Sequence, residues 1–328
     1  MNPKLICLTP VKNEAWILER FLKCASLWAD HIIIADQGST DGSVEIAKQF
    51  EKVIFIDNKC EGDFNEMQMR APLFEEAKKI EGPKILIGLD ADEILTPNFD
   101  SPEWDTVRKA KPGTIISFRL HNLLPDSTYW TLGDIYCGYV DDGTPYTTGM
   151  VHSPRMIMPQ KHDILHCYEI GLLHYKYMDS IRMTDRNRWY QCFELINKEN
   201  TPVAIFRRYH HGPNSNRLNE RFPQWWKELY WQKGIEIGSI LHKDEPRWNL
   251  QILDYFNRFG AKFFRHLNIW EVNWEQMAQS FNYEHKVSFK DPRHNWEKAI
   301  NRWLINTQNK QYKKSVHIIE KIINVIYR

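Results

Sequence analysis

The sequence predicts an α/β protein in which a mostly parallel sheet, with helices on both faces, precedes a mostly helical C-terminal region. Two observations predict this fold. Over residues 1–120, short apolar runs alternate with stretches whose apolar residues recur at helical spacing. Such alternation is typical of a parallel sheet with right-handed crossovers. After about residue 179 helical spacing dominates. We therefore expect a sheet-containing domain over residues 1–200 and a helical region over residues 201–328.

Four apolar runs predict the strands of the first half. Each run is short and is bounded by polar or turn-forming residues, as buried parallel strands are. Three later runs predict further strands, of which the last two would be antiparallel at an edge, and residues 121–153 are rich in loop-forming residues. The predicted strands are Leu5–Leu8, His31–Asp36, Val53–Ile56, Ile85–Leu89, Thr114–Leu120, Arg155–Met158 and Glu169–Tyr175.

Helices are predicted where apolar residues recur every three or four positions. Thr40 or Asp41 can cap the second helix, and Pro72 would bend or delay the third. The predicted helices cover residues 15–29, 44–50, 66–80, 181–197, 222–241, 250–267, 270–281, 296–306 and 315–327.

The composition is that of an ordinary globular chain. The 328 residues are 42% hydrophobic and 26% charged, and the net charge of +1 gives no indication of a nucleic-acid partner. No apolar run reaches the roughly 18 residues that a membrane span needs, and the first strand begins without the apolar core of a signal peptide. The six cysteines are widely spaced, which predicts reduced thiols. We expect a cytoplasmic protein.

The most distinctive stretch is the apolar run Ile85–Leu89, which ends in Asp90-Ala91-Asp92-Glu93. Open α/β sheets bind ligands at the carboxyl ends of their strands, where these acids fall. In extended backbone Asp90 and Asp92 would face the same side, and their charges would repel unless a cation lay between them. Mg²⁺ or Mn²⁺ accepts such oxygen ligands together with substrate phosphates. A solvated acidic turn is the alternative for this motif taken alone.

Two further polar clusters follow the first two strands. They are Thr9-Pro10-Val11-Lys12-Asn13-Glu14 and Asp36-Gln37-Gly38-Ser39-Thr40-Asp41-Gly42. Because parallel strands bring their carboxyl ends to one edge, the three clusters should form one site. Over about residues 4–190 this ordered set resembles the family 2 glycosyltransferases with the Rossmann-like GT-A fold. The Asp-Ala-Asp-Glu strand end resembles the branch of lipopolysaccharide-type sugar transferases.

The resemblance implies a metal-dependent transfer from a nucleotide-diphosphate sugar, most simply a UDP-sugar, to a hydroxyl group of a glycan or glycolipid. It implies that Asp36 accepts the ring N–H of uracil, where cytosine has an acceptor instead. It further implies that Mn²⁺ or Mg²⁺ bridges two phosphates of the donor. The residues assigned by resemblance are Thr9, Pro10, Glu14, Asp36, Arg70, Asp90 and Ala91 for the nucleotide, and Asp92 and His174 for the metal.

The catalytic base is the weakest point of the resemblance. An inverting transferase needs a group that removes the proton of the acceptor hydroxyl. Where relatives often carry Gly-x-x-His-Glu, this chain has Gly149-Met150-Val151-His152-Ser153. Asp141, Asp142 and Glu169 are the remaining candidates, and we select Glu169 and Asp142.

Two other functions stay open. A sugar-phosphate nucleotidyltransferase shares the sheet and metal chemistry, although residues 9–14 lack the Gly-rich basic signature of that class. A catalytically silent donor-binding relative would act as a scaffold, and Ser153 is the feature that favours it.

The C-terminal stretch is basic and amphipathic. Residues 290–328 hold nine Lys or Arg against three Asp or Glu, and apolar residues recur at helical spacing from Val316 to Ile326. A helix of this kind can lie on an anionic membrane, which would place the protein at the inner face of that membrane. The alternative is a helix that packs on its own domain.

Overall fold

The computed structural model describes residues 2–59, 65–147, 154–210, 219–240, 242, 245–284 and 287–327. The chain divides into two compact units, one formed by residues 1–179 with 217–243 and the other by residues 180–216 with 244–328. The first unit holds the sheet and the second is helical, so the predicted fold class is confirmed. The domain boundary that we expect at residue 200 stays a prediction.

The strands of the first unit form one mixed sheet. Along the described residues the strand order is β3-β2-β1-β4-β7-β6-β8-β5, and β9 pairs with β7. The strands are β1 Lys4–Val11, β2 His31–Asp36, β3 Val53–Asp57, β4 Lys84–Gly88, β5 Glu93–Leu95, β6 Ile115–Leu123, β7 Thr128–Val140, β8 Ile164–His174 and β9 Glu220–Arg221.

The half of the sheet formed by β3, β2, β1 and β4 is parallel, as predicted. In its register Val11 lies opposite Asp36, and Leu8 lies opposite Gly88. Alternate residues of β1 point into two cores, one shared with helix α1 (Leu18–Ala25) and the other with helix α3 (Glu66–Lys78). Helices therefore cover both faces, and the polar ends of β2, β1 and β4 lie side by side at one edge.

The other half of the sheet differs from the sequence prediction. Strand β7 crosses the stretch that we expected to be loop, and it pairs antiparallel with both β4 and β6. Its middle residues are exposed and half-buried in alternation and include glycine, so they form no apolar run. The expected strand Arg155–Met158 is absent. These residues lie against the end of β4, where a Cβ on Gly88 would approach the Met156 sulfur to 2.8 Å.

Glycines shorten two predicted helices. The helix expected over 222–241 ends at Trp231, shortly before Gly234, and the one expected over 250–267 ends at Phe259, immediately before Gly260. Both glycines have positive φ angles, 70° and 78°, which a continuing helix cannot contain. The remaining helices are α2 Ser43–Ala47, α4 Glu103–Lys109, α5 Ser180–Ile196, α6 Pro202–Tyr209, α7 Gln224–Trp231, α8 Arg247–Phe259, α9 Trp274–Ser280, α10 Asn295–Thr307 and α11 Lys314–Ile326.

The structure shows where Pro72 lies in the third helix and how Asp41 contacts the second. Pro72 lies inside α3, which begins at Glu66 because the Asn65 side chain accepts the first free N–H groups. The Asp41 carboxylate accepts the backbone N–H of Ser43 at 3.0 Å in the first turn of α2. Of the described helices, none is long and apolar enough to cross a membrane.

Candidate functional site

The loops that follow β1 and β2 are joined by direct hydrogen bonds. Lys12 Nζ donates to two carbonyl oxygens of the second loop at 2.6 and 2.7 Å. The backbone N–H of Asn13 donates to Ser39 Oγ at 2.8 Å, and Asn13 Oδ1 accepts the N–H of Thr40 at 2.8 Å. The two loops therefore form one connected platform at the carboxyl edge of the sheet.

Asp36 ends β2 beneath this platform, and its side chain is only 3% exposed. Its Oδ2 accepts the backbone N–H groups of Gly38 and Ser39, each at 2.9 Å. Its Oδ1 is buried and has no hydrogen-bond partner among the described residues. An unsatisfied buried carboxylate oxygen is costly, so this atom is a ready acceptor for an N–H group of a ligand.

The first-loop residues lie beside Asp36. Thr9 and Pro10 are buried within β1, opposite Ile34 and Ala35 of β2. Glu14 lies just beyond the strand, and its carboxylate accepts the indole N–H of Trp16 at 2.7 Å. The structure thus places these three predicted nucleotide residues one strand away from Asp36.

Asp90, Ala91 and Asp92 form a turn between β4 and β5 rather than extended backbone. Glu93 closes the turn, because its carboxylate accepts the Asp90 N–H at 2.9 Å and its own N–H donates to the Asp90 carbonyl at 3.0 Å. Ala91 is buried in the turn. The same-side arrangement that we expected of the two aspartates from strand alternation is therefore not how this turn is built.

Two guanidinium groups bind the Asp90 carboxylate. Arg70 Nη2 lies 2.8 Å from Oδ1, and Arg155 Nη2 lies 3.3 Å from Oδ2. Burial acts to raise the pKa of Asp90, but Arg155 and then Arg70 outweigh it and lower the pKa to about 2. Asp90 is therefore ionised, and protein cations already neutralise its charge. Arg70, which the resemblance assigned to the nucleotide, forms one of these two ion pairs.

Arg155 is a site residue that sequence reasoning missed. Its guanidinium also pairs with the fully buried carboxylate of Glu93, so it ties the segment after residue 153 to the Asp90–Asp92 turn. Nothing in the sequence marks a single arginine in this role, because the pairing depends on how that segment packs against β4.

Replacing Arg155 by Met should destabilise the fold by about 3–5 kcal/mol, since Glu93 would be left as a buried charge without its cation. Adding Glu93→Gln to the same chain removes that charge and should recover much of the loss. Urea denaturation of the single and double variants measures both effects. Equal stability of the single and double variants would show that the buried pair does not hold the turn.

Asp92 and His174 come together through the pairing of β5 with β8. Glu93 lies opposite His174 in that pairing, and Asp92 Oδ2 is 3.5 Å from His174 Nε2. On the other side of the ring, Asn122 Oδ1 lies 3.0 Å from Nδ1. Because the side-chain oxygen of Asn122 can only accept a hydrogen bond, Nδ1 carries the hydrogen of the neutral ring, and the lone pair of Nε2 lies towards Asp92.

This pair fits a divalent cation. Ligands in an octahedral shell with bonds of about 2.1 Å are about 3 Å apart, close to the observed separation of Asp92 and His174. Across the described residues, no group of three or more His, Cys, Asp and Glu side chains is arranged to hold a metal. A cation here would therefore need further ligands from a bound molecule, as Mg²⁺ commonly takes from phosphates.

Asp142 lies at the opposite edge of the sheet. Asp141, its neighbour, donates its backbone N–H to the carbonyl of Lys84 at the start of β4, whereas Asp90 follows the end of that strand, roughly 20 Å away at about 3.3 Å per residue. Asp142 accepts the Tyr139 hydroxyl at 2.6 Å. Burial acts to raise its pKa, but this bond and those from Thr144 lower it below the usual value.

Glu169 is also directed elsewhere. Its carboxylate accepts the Ser101 hydroxyl, and it precedes His174 by five residues in β8. The structure does not bring Asp142 or Glu169 to the Asp92–His174 pair, so a role as catalytic base stays a prediction for both. The segment Gly149–Ser153, where relatives carry their glutamate, lies outside the described residues.

Comparison with known families identifies the sheet unit. Residues 7–164 match the family model described as Glycosyl transferase family 2. This part of the chain is a glycosyltransferase domain. The match spans the three strand ends and the turn that carries Asp90 and Asp92, so the glycosyltransferase prediction is confirmed. The lipopolysaccharide-type branch is not established by it.

Three solved structures are similar to the chain at low identity. The mannosyltransferase PcManGT from Pyrobaculum calidifontis, in complex with GDP-Man and Mn²⁺, is 12% identical over 100% of this chain and 86% of its own, with a TM-score of 0.40. S. aureus TarS 1–349 is 11% identical over 95% and 92%, with a TM-score of 0.35.

Glucosyl-3-phosphoglycerate synthase from Mycobacterium tuberculosis is 17% identical over 37% of this chain, with a TM-score of 0.27. The match spans only 44% of that synthase. At TM-scores this low, the three likenesses establish neither a donor nor a metal for the glycosyltransferase domain.

Proposed function

We propose that the chain transfers a sugar from a UDP-sugar to a hydroxyl group of a glycan or glycolipid. The observation that supports this proposal is the buried Oδ1 of Asp36, which lacks a donor at the carboxyl edge of the sheet. Uracil presents one ring N–H, which matches one available oxygen. Cytosine has an acceptor at that position and would be repelled. Guanine presents two adjacent N–H groups, but the second oxygen of Asp36 is held by Gly38 and Ser39.

Asp92 and His174 would hold Mn²⁺ or Mg²⁺ together with the donor phosphates. When bound, the cation supplies positive charge that neutralises the departing diphosphate. Asn122 fixes the tautomer and orientation of His174 through Nδ1. Arg70 and Arg155 hold Asp90, and Glu93 closes the turn, so Asp92 is presented by a rigid backbone.

The reaction that we propose is a direct displacement with inversion. The acceptor oxygen attacks the anomeric carbon, the bond from that carbon to the diphosphate oxygen breaks, and its electron pair leaves with the diphosphate. The hydroxyl proton passes to a base. Asp142 and Glu169 remain our candidates for this base, and the structure brings neither of them to the Asp92–His174 pair.

Slow hydrolysis of the donor tests this function without knowledge of the acceptor. The protein is incubated with individual UDP-sugars and Mn²⁺, and release of UDP is followed by chromatography. We expect release of UDP with one donor or a few, and none after EDTA. Pyrophosphate formation from UTP and a sugar 1-phosphate would instead identify a nucleotidyltransferase. Donor binding without turnover on any acceptor would identify a scaffold.

A further inference from the structure

The C-terminal helix α11 has two apolar faces, and its own unit covers one of them. Val316 and Ile323 are buried, and Ile323 packs with Val203 and Phe206 of α6 and Leu304 of α10. Five other aliphatic side chains of the helix are between 40% and 68% exposed. They are Ile318, Ile319, Ile322, Val325 and Ile326. We call these five residues the outer face of α11.

A buried ion pair fixes which face points inward. Arg207 Nε lies 2.7 Å from the Glu320 carboxylate, and both side chains are almost completely buried. Arg207 also donates to the carbonyl oxygen of Leu304 at 2.7 Å and to Gln308 Oε1 at 2.9 Å. Turning α11 to bury its outer face would break this pair, so the outer face is a stable feature of the helical unit.

The outer face is continuous and has cations at its margin. At about 100° per residue, its five residues cover an arc of roughly 120°. Lys314 and Lys321 lie next to this arc, and both are exposed. Glu320, the one acid of α11, lies on the inner face. No negative charge from the helix itself therefore borders the exposed aliphatic residues.

The surrounding chain is also cationic. Residues 290–328 carry nine Lys or Arg and three Asp or Glu, a net charge of 9 − 3 = +6. Protein cations pair with all three acids: Asp291 with Arg293, Glu297 with Arg265, and Glu320 with Arg207. Tyr312, just before the helix, is largely exposed. The segment that contains the outer face is thus positively charged, and an exposed aromatic ring precedes the helix.

We propose that the outer face of α11 binds the surface of a membrane that contains anionic lipid. Aliphatic residues of an interfacial helix enter the boundary of the acyl chains while flanking lysines meet the head groups. A second copy of the chain is a poorer occupant, because the outer face has no acid to pair with the lysines of a partner. This inference does not depend on the donor or the metal.

Vesicle flotation with the full chain tests the proposal. Vesicles of phosphatidylcholine with phosphatidylglycerol should bind the protein at low salt, and vesicles of phosphatidylcholine alone should bind it much less. Binding should fade as salt rises, because the attraction is screened within about 8 Å at physiological ionic strength. Lys314→Gln with Lys321→Gln should weaken binding about fivefold for each charge removed.

The decisive variant is Ile322→Ser with Val325→Ser, which removes apolar area from the outer face and leaves the buried residues in place. We expect binding at least about tenfold weaker than wild type. The matched control is Leu132→Ser with Ile181→Ser, which changes two equally exposed aliphatic residues elsewhere and should bind as wild type does. Thermal melts should show that both double variants are folded. Deleting α11 is unsuitable because Ile323 belongs to a core.

Two results would overturn the proposal. One is equal binding of anionic vesicles by wild type and the Ile322→Ser, Val325→Ser variant, or no binding by either. The other is a dimer in sedimentation equilibrium that this variant abolishes while vesicles capture neither protein. The second result would identify the outer face as an interface between two copies.

Discussion

Replacing Asp92 by Asn is expected to abolish sugar transfer while the fold remains intact. The substitution keeps the shape of the side chain but removes the carboxylate that lies 3.5 Å from His174 Nε2 in the wild type. A cation at this position would lose its charged protein ligand and with it much of its affinity. We expect kcat/KM to fall at least about 1000-fold, which corresponds to about 4 kcal/mol of transition-state stabilisation.

The measurement is kcat/KM for donor turnover in excess Mn²⁺, alongside calorimetric titration of Mn²⁺ in the presence of UDP. Asp134→Asn is the matched control, since Asp134 is a partly exposed acid of β7 that pairs with His166. It should keep wild-type turnover and Mn²⁺ affinity. Near-normal activity of Asp92→Asn, or full activity of the wild type in EDTA, would show that the metal assignment is wrong.

Replacing Asp36 by Asn should change which pyrimidine nucleotide binds best. The remaining oxygen of Asn can still accept the N–H groups of Gly38 and Ser39, so the loop should keep its shape. The new NH₂ group would then occupy the position of Oδ1, where it opposes the ring N–H of uracil and matches the ring acceptor of cytosine. Loss of about 1–3 kcal/mol for UDP is expected, a roughly 5- to 150-fold weaker affinity, with a gain for CDP.

Calorimetry with UDP, CDP and GDP measures this change in nucleotide affinity. Asp57→Asn is a suitable control, because Asp57 lies opposite Asp36 in the register of β2 and β3 but has an exposed side chain. It should leave all three affinities unchanged. The uracil assignment fails if Asp36→Asn binds UDP as the wild type does.

The sequence predicted the parallel half of the sheet well, because β1, β2 and β4 are short apolar runs that end in polar clusters. It predicted β7 poorly, because the middle of that strand mixes exposed residues and glycine and is defined by its pairing with β4 and β6. Gly234 and Gly260 ended helices whose apolar periodicity continues past them. For these two helices, the positive φ angle of the glycine decided where the helix ended, although the apolar periodicity of the sequence continued.

The parts of the site that follow strand ends were also predictable. Asp36 and the Asp90–Asp92 turn lie at one edge because their strands are parallel neighbours. The residues that support the site could not be predicted from the sequence. Asn122, for example, contacts His174 only because of the register between β6 and β8.

The candidates for the catalytic base were chosen without knowledge of the sheet order. Asp142 follows an antiparallel strand, and that reversal carries it to the far edge of the sheet. Arg155 could be recognised as a site residue only from the packing of its segment against β4, which pairs it with Glu93.

Titration of the wild-type protein with UDP, in Mn²⁺ and again in EDTA, tests the central claim most directly. If Asp36 binds uracil while Asp92 and His174 hold a cation against the diphosphate, UDP should bind at least about tenfold more tightly in Mn²⁺ than in EDTA, and more tightly than CDP or GDP. Equal affinity for UDP under both conditions, or tighter binding of GDP than of UDP, would contradict the account.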